Sequence, residues 1–341
     1  MAYSTDSARI LDGLRAQLAL IADEHTRIQT AAWVRAWDDV APELQAALDD
    51  LTADGLKPTR AQLIRARRLT NALDLIEDRL ASLVDGSASA AIARLDEIVN
   101  TAGALTDQLI SASLPPGASV NGWAMVDPAS VDAIVTRTAE QITKLSYPLP
   151  AQATANMKRE LVRGMLVGAN PRETARRMVA RTGSTFNGGL SRALTIARTE
   201  QMDAHRAAAQ VSEQANVDTL AGWTWVCAVS ERTCPACWSM HGTEHALTDP
   251  GPLGHQNCRC ARVPRAKTWR ELGFDIDEPA SVLPSREDAF GNLTDLQQRD
   301  VLGPRRYDAW KSGDYPMSDW AVKRENPGWR PSYNVAPAPA A

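Results

Sequence analysis

The sequence predicts a mainly α-helical protein with a small α+β module, in which elongated N-terminal helices precede a compact C-terminal domain. Apolar residues recur every three or four positions through much of the first 214 residues, which is the period of amphipathic helices. The composition is rich in Ala and Leu and includes only 3 Phe and 5 Tyr. The pattern changes at Gly222, where β-branched and aromatic residues lead into a cluster of cysteines and histidines.

Residues 1–112 are predicted to form an N-terminal helical arm or bundle. Its first stripe contains Leu11, Leu14, Leu18, Ile21, Ile28, Trp33, Trp37, Leu44 and Leu48. Pro42 is expected to break or kink this helix, because proline lacks the N–H that a helix interior requires. Thr59 and Gln62 have the spacing of a capping box and predict the start of a second helix. A third helix is expected from about 89 to 110.

The middle of the chain is divided by proline and glycine. Residues 113–127 are predicted to be a linker, and residues 128–265 a core that contains the metal-binding segment 230–260. Asp127 and Pro128 predict a helix start, with Asp as the N-cap and Pro at the first helical position. Asn170 and Pro171 predict another start, and that helix is expected to stop near Gly183.

The C-terminal part is predicted to contain less regular structure. The run from Trp223 to Val229 is short, aromatic and β-branched, and predicts a strand. Residues 266–341 are predicted to be a short helical and partly disordered tail, with helices near 297–303 and 307–310. Residues 335–341, rich in Pro and Ala, are expected to be disordered.

Charge and hydropathy exclude some classes of function. The net charge of -4 gives the chain no overall attraction to nucleic acid or anionic membranes. No secretory signal is visible at the N-terminus, and no apolar run approaches the roughly 20 residues that span a bilayer. The region from Lys158 to Arg206 is locally basic, which predicts a solvated helix face or, alternatively, a surface that contacts DNA. Neither a membrane nor a small-molecule substrate is expected as a partner.

Four of the five cysteines fall within residues 230–260, and three of them, together with one histidine, have the spacing of a closed metal site. Cys234 and Cys237 form a C-x-x-C turn, and His255 and Cys258 form an H-x-x-C turn about twenty residues later. Three thiolates and one imidazole in four-coordination favour Zn²⁺, and a closed site favours structure over catalysis. The sequence therefore predicts a structural zinc that stabilises the C-terminal module, with an unmetallated cluster or a catalytic or redox role as alternatives.

Cys260 competes with Cys258 for the fourth ligand position. If residues 258–260 enter a strand, their side chains point to opposite faces and only one can bind, and the turn spacing favours Cys258. The segment is expected to lack an aromatic core and helices of its own, so that metal binding would supply its folding energy. Cys227 lies outside the cluster and is expected to be a buried free thiol.

Two histidines within the segment offer alternative, catalytic interpretations. His241, Glu244 and His245 match the H-x-x-E-H pattern of inverted zinc peptidases, which requires both histidines on one face of a helix. Gly242 and the absence of a surrounding amphipathic pattern favour a turn instead. A treble-clef nuclease with His241 or His245 as the base is a second alternative. Both histidines are predicted to be bystanders, and no catalytic residue is assigned.

The order of motifs resembles a known family. Residues 196–200 read Ile-Ala-Arg-Thr-Glu, and Arg232-Thr-Cys234-x-x-Cys237 and His255-x-x-Cys258-Arg-Cys260 follow, with Trp225 and Gly242 between. This combination resembles the Mu F-like phage head morphogenesis family over roughly residues 157–264. The proline that usually precedes the histidine in this family is replaced here by Leu253-Gly254, so the family's geometry for that turn is not carried over to this chain.

The resemblance implies a minor capsid protein of a tailed bacteriophage that is not an enzyme. Such proteins are virion components inside the capsid near the portal, present in the host cytoplasm during assembly. They act in head assembly and are implicated in DNA packaging or ejection. The implied partners are the portal protein and other head proteins, with packaged DNA as a further candidate. A zinc-dependent nuclease or peptidase acting during infection, and a DNA-binding module using helices 158–206, are the alternatives.

Overall fold

The computed structural model describes residues 4–54, 58–118, 127–167, 171–279, 281, 284–326 and 329–339. Within these ranges the side chains of residues 60, 64 and 160–178 are not described. The chain is mainly helical with a small antiparallel sheet, as the sequence predicts. The helices are α1 (Thr5–Leu51), α2 (Arg60–Arg65), α3 (Arg67–Ile92), α4 (Leu95–Ala112), α5 (Pro128–Ser146), α6 (Leu149–Val167), α7 (Pro171–Ala215), α8 (Pro235–Met240), α9 (Arg286–Gly291), α10 (Asp295–Leu302) and α11 (Pro304–Ser312). The strands are β1 (Leu220–Val226), β2 (Glu244–His245), β3 (Ala261–Ala266), β4 (Ala321–Asn326) and β5 (Trp329–Val335).

The chain forms two compact units, each assembled from separate segments. One unit comprises residues 1–20, 95–136 and 201–341, and the other comprises residues 21–94 and 137–200. These segments alternate along the chain, whereas the predicted domains at 1–112, 128–265 and 266–341 are consecutive. The predicted domain boundaries therefore stay a prediction.

The unit formed by residues 21–94 and 137–200 is a helical bundle around an aromatic and aliphatic core. Trp33 and Phe186 are fully buried there, and their ring centroids are 6.0 Å apart in an edge-to-face arrangement. The indole N–H of Trp33 donates to the carbonyl of Phe186 at 3.1 Å. Leucines from α1 and α3 complete the core, as their heptad-like spacing predicts.

The helix break expected at Pro42 and the helix end expected near Gly183 were wrong, while a kink at Pro42 stays a prediction. Helix α1 continues through Pro42, where Val40 and Leu44 on either side are buried in the core. Helix α7 continues through Gly183, because the space that its missing side chain leaves is filled by the Trp37 ring. In both places burial of neighbouring apolar residues outweighs the local preference of Pro or Gly to end a helix.

Most predicted helix starts are confirmed. Thr59 and Gln62 form the capping box before α2. Helix α5 begins at Pro128, and the Asp127 carboxylate accepts from the Ala129 N–H at 3.1 Å. Helix α7 begins at Pro171, while its predicted cap, Asn170, lies outside the described residues. The expected helix 89–110 is instead the end of α3 followed by α4, and the first residues of the predicted linker, 113–115, are buried.

The sheet of the other unit has the order β2-β1-β3 and is antiparallel throughout. The predicted strand is confirmed as β1. It pairs with β3 in a register that places Trp225 opposite Arg262. Val226 and Val263 of this sheet pack against Leu11 and Leu14 of α1 and against α4. The N-terminal turns of α1 are therefore part of the core that supports the sheet.

The C-terminal part is more ordered than the sequence suggests. Helices α10 and α11 confirm the two predicted helices, but α9 and the hairpin of β4 and β5 were not predicted. The expected disorder from residue 335 was wrong at its start, because Val335 ends β5 and the Ala336 N–H donates to the Trp320 carbonyl at 2.9 Å. Residues 340 and 341 lie outside the described part of the chain.

The C-terminal part also supplies an aromatic core that the sequence prediction lacked. Trp238 of α8 contacts Phe290 with ring centroids 5.2 Å apart, and Phe290 contacts Trp320 at 5.0 Å. The cysteine segment contributes Trp238 to this core, and the expectation that the segment lacks a core sufficient to fold alone is not contradicted. The aromatic residues come from positions more than fifty residues further along the chain, which local pattern analysis does not connect.

None of the helices in the described parts of the chain combines the length and apolar character required to cross a membrane.

Candidate metal centre

The first pair of candidate ligands lies where a loop becomes helix α8. Cys234 is the N-cap of that helix and Pro235 occupies its first position. The Cys234 sulfur accepts from the N–H of Cys237 at 3.4 Å, in the manner of a capping side chain. This geometry turns both sulfurs toward the same side, as a C-x-x-C turn requires.

The second pair lies in a tight turn before β3. The Cys258 N–H donates to the carbonyl of His255 at 3.1 Å, and Asn257 has a φ of 62°, in the left-handed region that asparagine tolerates. The His255 Nδ1 lies 2.6 Å from the carbonyl of Gln256. A proton on Nδ1 can be donated to that carbonyl, which leaves Nε2 as the electron-pair donor on the side of the cysteines.

The two pairs converge at distances that suit a tetrahedral ion. The Nε2 atom of His255 lies 3.0 Å from the Cys234 sulfur and 3.5 Å from the Cys237 sulfur. The Cys237 and Cys258 sulfurs are 3.7 Å apart. In a tetrahedral zinc site with Zn–S of about 2.3 Å and Zn–N of about 2.0 Å, the ligand atoms are roughly 3.5–3.8 Å apart. Cys234, Cys237 and His255 form one mutually close group, and the Cys258 sulfur approaches it through Cys237. The donor types suit zinc, and a single site formed by all four residues stays a prediction.

Cys260 lies against the same cluster. Cys237, Cys258 and Cys260 form a second group of mutually close sulfurs, alongside the group of Cys234, Cys237 and His255. The expected alternation of faces does not apply, because β3 begins only at Ala261. The Cys260 N–H donates to the Cys258 sulfur at 3.5 Å, which is a typical interaction of a metal-bound thiolate.

Among the four cysteines of the cluster, two thiols have a lowered pKa and two have a raised pKa. The Cys237 thiol and then His255 stabilise the Cys234 thiolate and lower the pKa of Cys234 to about 5. Burial opposes protonation of His255, but the Cys234 thiolate outweighs it and raises the pKa of the ring to about 9. Hydrogen bonds from Cys237 and Cys260 likewise lower the pKa of Cys258, while the pKa values of Cys237 and Cys260 are raised. Thiolates are the form in which cysteine binds metal.

An arginine that was predicted to lie on a basic face is instead buried under this centre. The Arg206 guanidinium donates to the carbonyls of Cys258 at 3.0 Å and Cys260 at 2.9 Å. Its side chain is 5% exposed, so it contributes no surface for DNA. The side chains of residues 160–178, which carry much of the predicted basic face, lie outside the described side chains.

His241 and His245 make contacts of their own away from the cluster. His241 is buried and its Nδ1 accepts from the Cys227 N–H at 3.2 Å. His245 stacks on Trp223 with ring centroids 4.1 Å apart. Neither ring belongs to the ligand groups found among the described residues. Residues 241–243 form a turn and Glu244 begins β2, so this stretch lacks the helix that the peptidase motif requires.

The Arg-Thr-Glu motif of α7 is built into the interior. Thr199 is buried and donates its hydroxyl to the Thr195 carbonyl at 2.7 Å. Arg198 donates to the Thr26 hydroxyl at 2.9 Å, and Glu200 is buried. These contacts agree with the structural role expected for the motif.

A buried ion pair beneath the sheet was missed by sequence reasoning. Arg262 of β3 and Glu213 of α7 are both fully buried and lie 2.5 Å apart. The guanidinium of Arg262 also lies 4.5 Å from the Trp223 ring centroid and donates to the carbonyl of Leu247 at 3.0 Å. The position of Arg262 between Ala261 and Val263 was the available signal, since a buried arginine needs a buried partner.

The chain is therefore a mainly helical protein that contains a small antiparallel sheet. Two Cys/His turns border this sheet. Residues 155–263 match a family model described as Phage Mu protein F like protein. The resemblance predicted from the motifs is confirmed, and the match includes all four predicted ligands. Searches of curated proteins and of solved structures found no match.

The family match indicates a phage head morphogenesis protein. A head protein is a component of the virion, and its partners are other proteins of the phage head.

Proposed function

We propose that this chain is a minor capsid protein that associates with the portal inside the phage head. In this role it acts in head assembly and in the packaging or ejection of DNA. The observation that carries the proposal is the family match over residues 155–263, which spans the motifs of α7 and the Cys/His turns. The portal protein is the proposed partner, together with packaged DNA.

The Cys/His centre is proposed to hold one structural zinc ion through Cys234, Cys237, His255 and Cys258. The mutually close group of Cys234, Cys237 and His255, with the Cys258 sulfur 3.7 Å from that of Cys237, supports this assignment. A bound zinc would join the α8 knuckle to the turn before β3 and so stabilise the sheet. All four positions of a tetrahedral site would be occupied by protein, which leaves none for substrate.

The proposed role is structural rather than enzymatic, with no small-molecule substrate. Its support is the use of His241 and His245 in packing and hydrogen bonding. Purified protein carrying His241→Ala or Glu244→Ala tests this assignment against duplex DNA and unfolded protein as substrates. Cleavage by the unaltered chain that either substitution abolishes, with stability retained, would establish the enzyme alternative.

Fractionation of phage heads tests the proposed location. Heads with and without DNA are purified from infected cells by density gradient, and this chain and the portal protein are measured in each fraction. We expect the chain to co-purify with the portal in both, at a few copies per head. Absence of the chain from mature DNA-filled heads would contradict a role in ejection and leave only one in assembly.

Contact with packaged DNA is tested separately. Retardation of duplex DNA that weakens steeply with salt would support it, because phosphate contacts release counterions. Arg192→Ala, at an exposed arginine of α7, should weaken any such binding. Retardation that this substitution leaves unchanged would contradict contact through the basic helices.

A further inference from the structure

A chain of charged side chains runs from the Cys/His centre to the C-terminal hairpin formed by β4 and β5. Arg206 donates to the carbonyls of Cys258 and Cys260 and, through Nη1, to the Asp203 carboxylate at 2.7 Å. The same carboxylate accepts two hydrogen bonds from Arg330 of β5, at 2.7 and 3.1 Å. Asp203 therefore lies between one arginine of α7 and one of the hairpin.

Arg330 also contacts the second ligand turn directly. Its Nη1 donates to the carbonyl of Gly254 at 2.8 Å. A side chain at Gly254 would place its Cβ 2.3 Å from the Cys258 sulfur, so the backbone that accepts from Arg330 also lies directly against a candidate ligand. A change in the position of that sulfur must therefore act on the acceptor of Arg330.

The hairpin makes backbone contact with the same turn. The Tyr333 N–H donates to the carbonyl of Leu253 at 2.8 Å, and Tyr333 forms a parallel bridge with Gly254. The Tyr333 ring meets the Trp225 ring edge-to-face, with centroids 5.7 Å apart. Residues 253 and 254, which immediately precede the ligand His255, thus act as the docking edge for β5.

Charge gives a reason for this arrangement. Three thiolates and a neutral imidazole around a divalent ion carry a net charge of about −1. Arg206 supplies a buried positive charge beside that centre, and Asp203 and Arg330 extend the alternation of signs outward. Without the ion, the ligands of the turn lose the constraint that holds residues 254–258 in place.

We propose that Arg206, Asp203 and Arg330 couple metal binding at the Cys/His centre to docking of the C-terminal hairpin, residues 321–335. This inference rests on the proposed metal site. The three residues are positioning residues: they do not bind the ion but hold the turn that does. Metal binding orders the hairpin, and the docked hairpin slows the release of the metal.

Hydrogen exchange of the full chain tests the coupling. Zinc content is first measured on the purified protein, and amide exchange is then compared between zinc-loaded and chelator-stripped samples. We expect exchange of peptides spanning residues 321–335 to rise at least about tenfold on stripping, as typical coupling between sites predicts. Peptides from α3 and from α10 and α11 should change much less and serve as internal controls.

Substitution of Arg330 tests the reciprocal effect. Arg330→Ala should raise the rate at which a chelator removes zinc by about tenfold, the size of a typical coupling between sites, because the hairpin no longer holds the turn that carries two of the ligands. Arg324→Ala is the matched control, since Arg324 is an exposed arginine of the same hairpin. Arg330→Lys, which keeps the charge but loses the paired hydrogen bonds to Asp203, should give an intermediate rate.

The outcomes separate the coupling from the metal site itself. If the protein binds about one zinc but Arg330→Ala releases it no faster than Arg324→Ala, the coupling is wrong and the metal site stands. If stripping raises exchange equally in α10 and α11, the coupling is not specific to the hairpin and is likewise wrong. If the protein binds no zinc, both proposals fail. Should Arg330→Ala not fold, the exchange comparison of the unaltered chain decides.

Discussion

Gly254 determines how closely the second ligand turn can approach its own cysteine. The Cys258 sulfur occupies the space where any other residue at 254 would have its Cβ, at 2.3 Å. The absence of a side chain at residue 254 therefore permits the close approach of this turn to the Cys258 sulfur.

Single cysteine substitutions distinguish the fourth ligand. Cys258→Ser should reduce zinc from about one ion per chain to well below one, because it removes a thiolate from a four-coordinate site. Cys260→Ala should retain the zinc, since the Cys260 thiol is proposed to lie beside the site without binding. Zinc is measured per chain after gel filtration, and loss of zinc from Cys260→Ala alone would reverse the assignment.

Buried neutral histidines make the protein sensitive to acid. Burial lowers the pKa of His241 and of His205 from 6.5 to about 4 in the folded chain. Between these values the unfolded chain binds protons that the folded chain does not, so stability is retained above pH 6.5 and lost as the pH falls toward 4. Each ring can contribute up to about 3 kcal/mol to this loss.

His241→Asn tests the contribution of one ring. Asparagine keeps an acceptor for the Cys227 N–H but does not titrate, so the free energy of unfolding should fall less between pH 6.5 and 4 than in the unaltered chain. Urea unfolding at several pH values measures the difference. Because both proteins keep the same cysteines and His255, titration of the metal ligands cancels, and identical pH slopes would contradict the role of His241.

At the scale of elements, helix α7 shows how packing decides continuity. Its 45 residues include three glycines and the Arg-Thr-Glu motif, and local propensity predicts a stop near Gly183. Thr182 and Phe186 on either side are buried, and the Trp37 ring fills the gap beside the glycine. Gly183 thus lies at a packing contact within α7 and does not end the helix.

Two glycines of α7 form a matched pair for testing this interpretation. Gly183→Ala places a methyl group 2.7 Å from the Trp37 ring and should lower the free energy of unfolding by about 1–3 kcal/mol through overpacking. Gly188→Ala meets no atom within 4 Å and should raise it by up to about 1 kcal/mol through helix propensity. Urea unfolding of both variants measures the two effects, and equal effects of the same sign would contradict the interpretation.

At the scale of the whole molecule, the N-terminal helices share cores with later segments. Leu11, Leu14 and Leu109 pack against Val226 and Val263 of the sheet that carries the metal centre. The expectation of an N-terminal arm treats residues 1–112 as separable from this sheet. Contact of these helices with the portal stays a prediction, and it is best tested with surface substitutions that leave the shared cores intact.

Truncation tests the interdependence of the segments. The chain lacking residues 1–110 should show no cooperative thermal unfolding transition, because the apolar face of β1 and β3 loses its cover and exposes buried valines. Circular dichroism of residues 111–341, with zinc present, measures this. A cooperative transition with native sheet content would instead support the separable arm.

Much of the helical fold and the candidate ligands followed from local patterns. Apolar periodicity, the Thr59 capping box and the Asp127–Pro128 start depend on residues a few positions apart, and so does the spacing of the Cys/His turns. The aromatic core around Phe290, the hairpin at residues 321–335 and the course of α7 through Gly183 depend on contacts between distant segments. Periodicity carries no information about such contacts.

The sequence by itself determined a mainly helical chain with a Mu F-like segment and four metal-ligand candidates, because residue type and spacing define both the motifs and the ligand set. Only the tertiary structure placed Arg206 beneath that centre and Arg330 beside Asp203. In the sequence Arg206 is one of many basic residues on a helix, and its role depends on which carbonyl groups the fold brings to it. Burial of a charge requires partners, and those partners are 52 and 54 residues away.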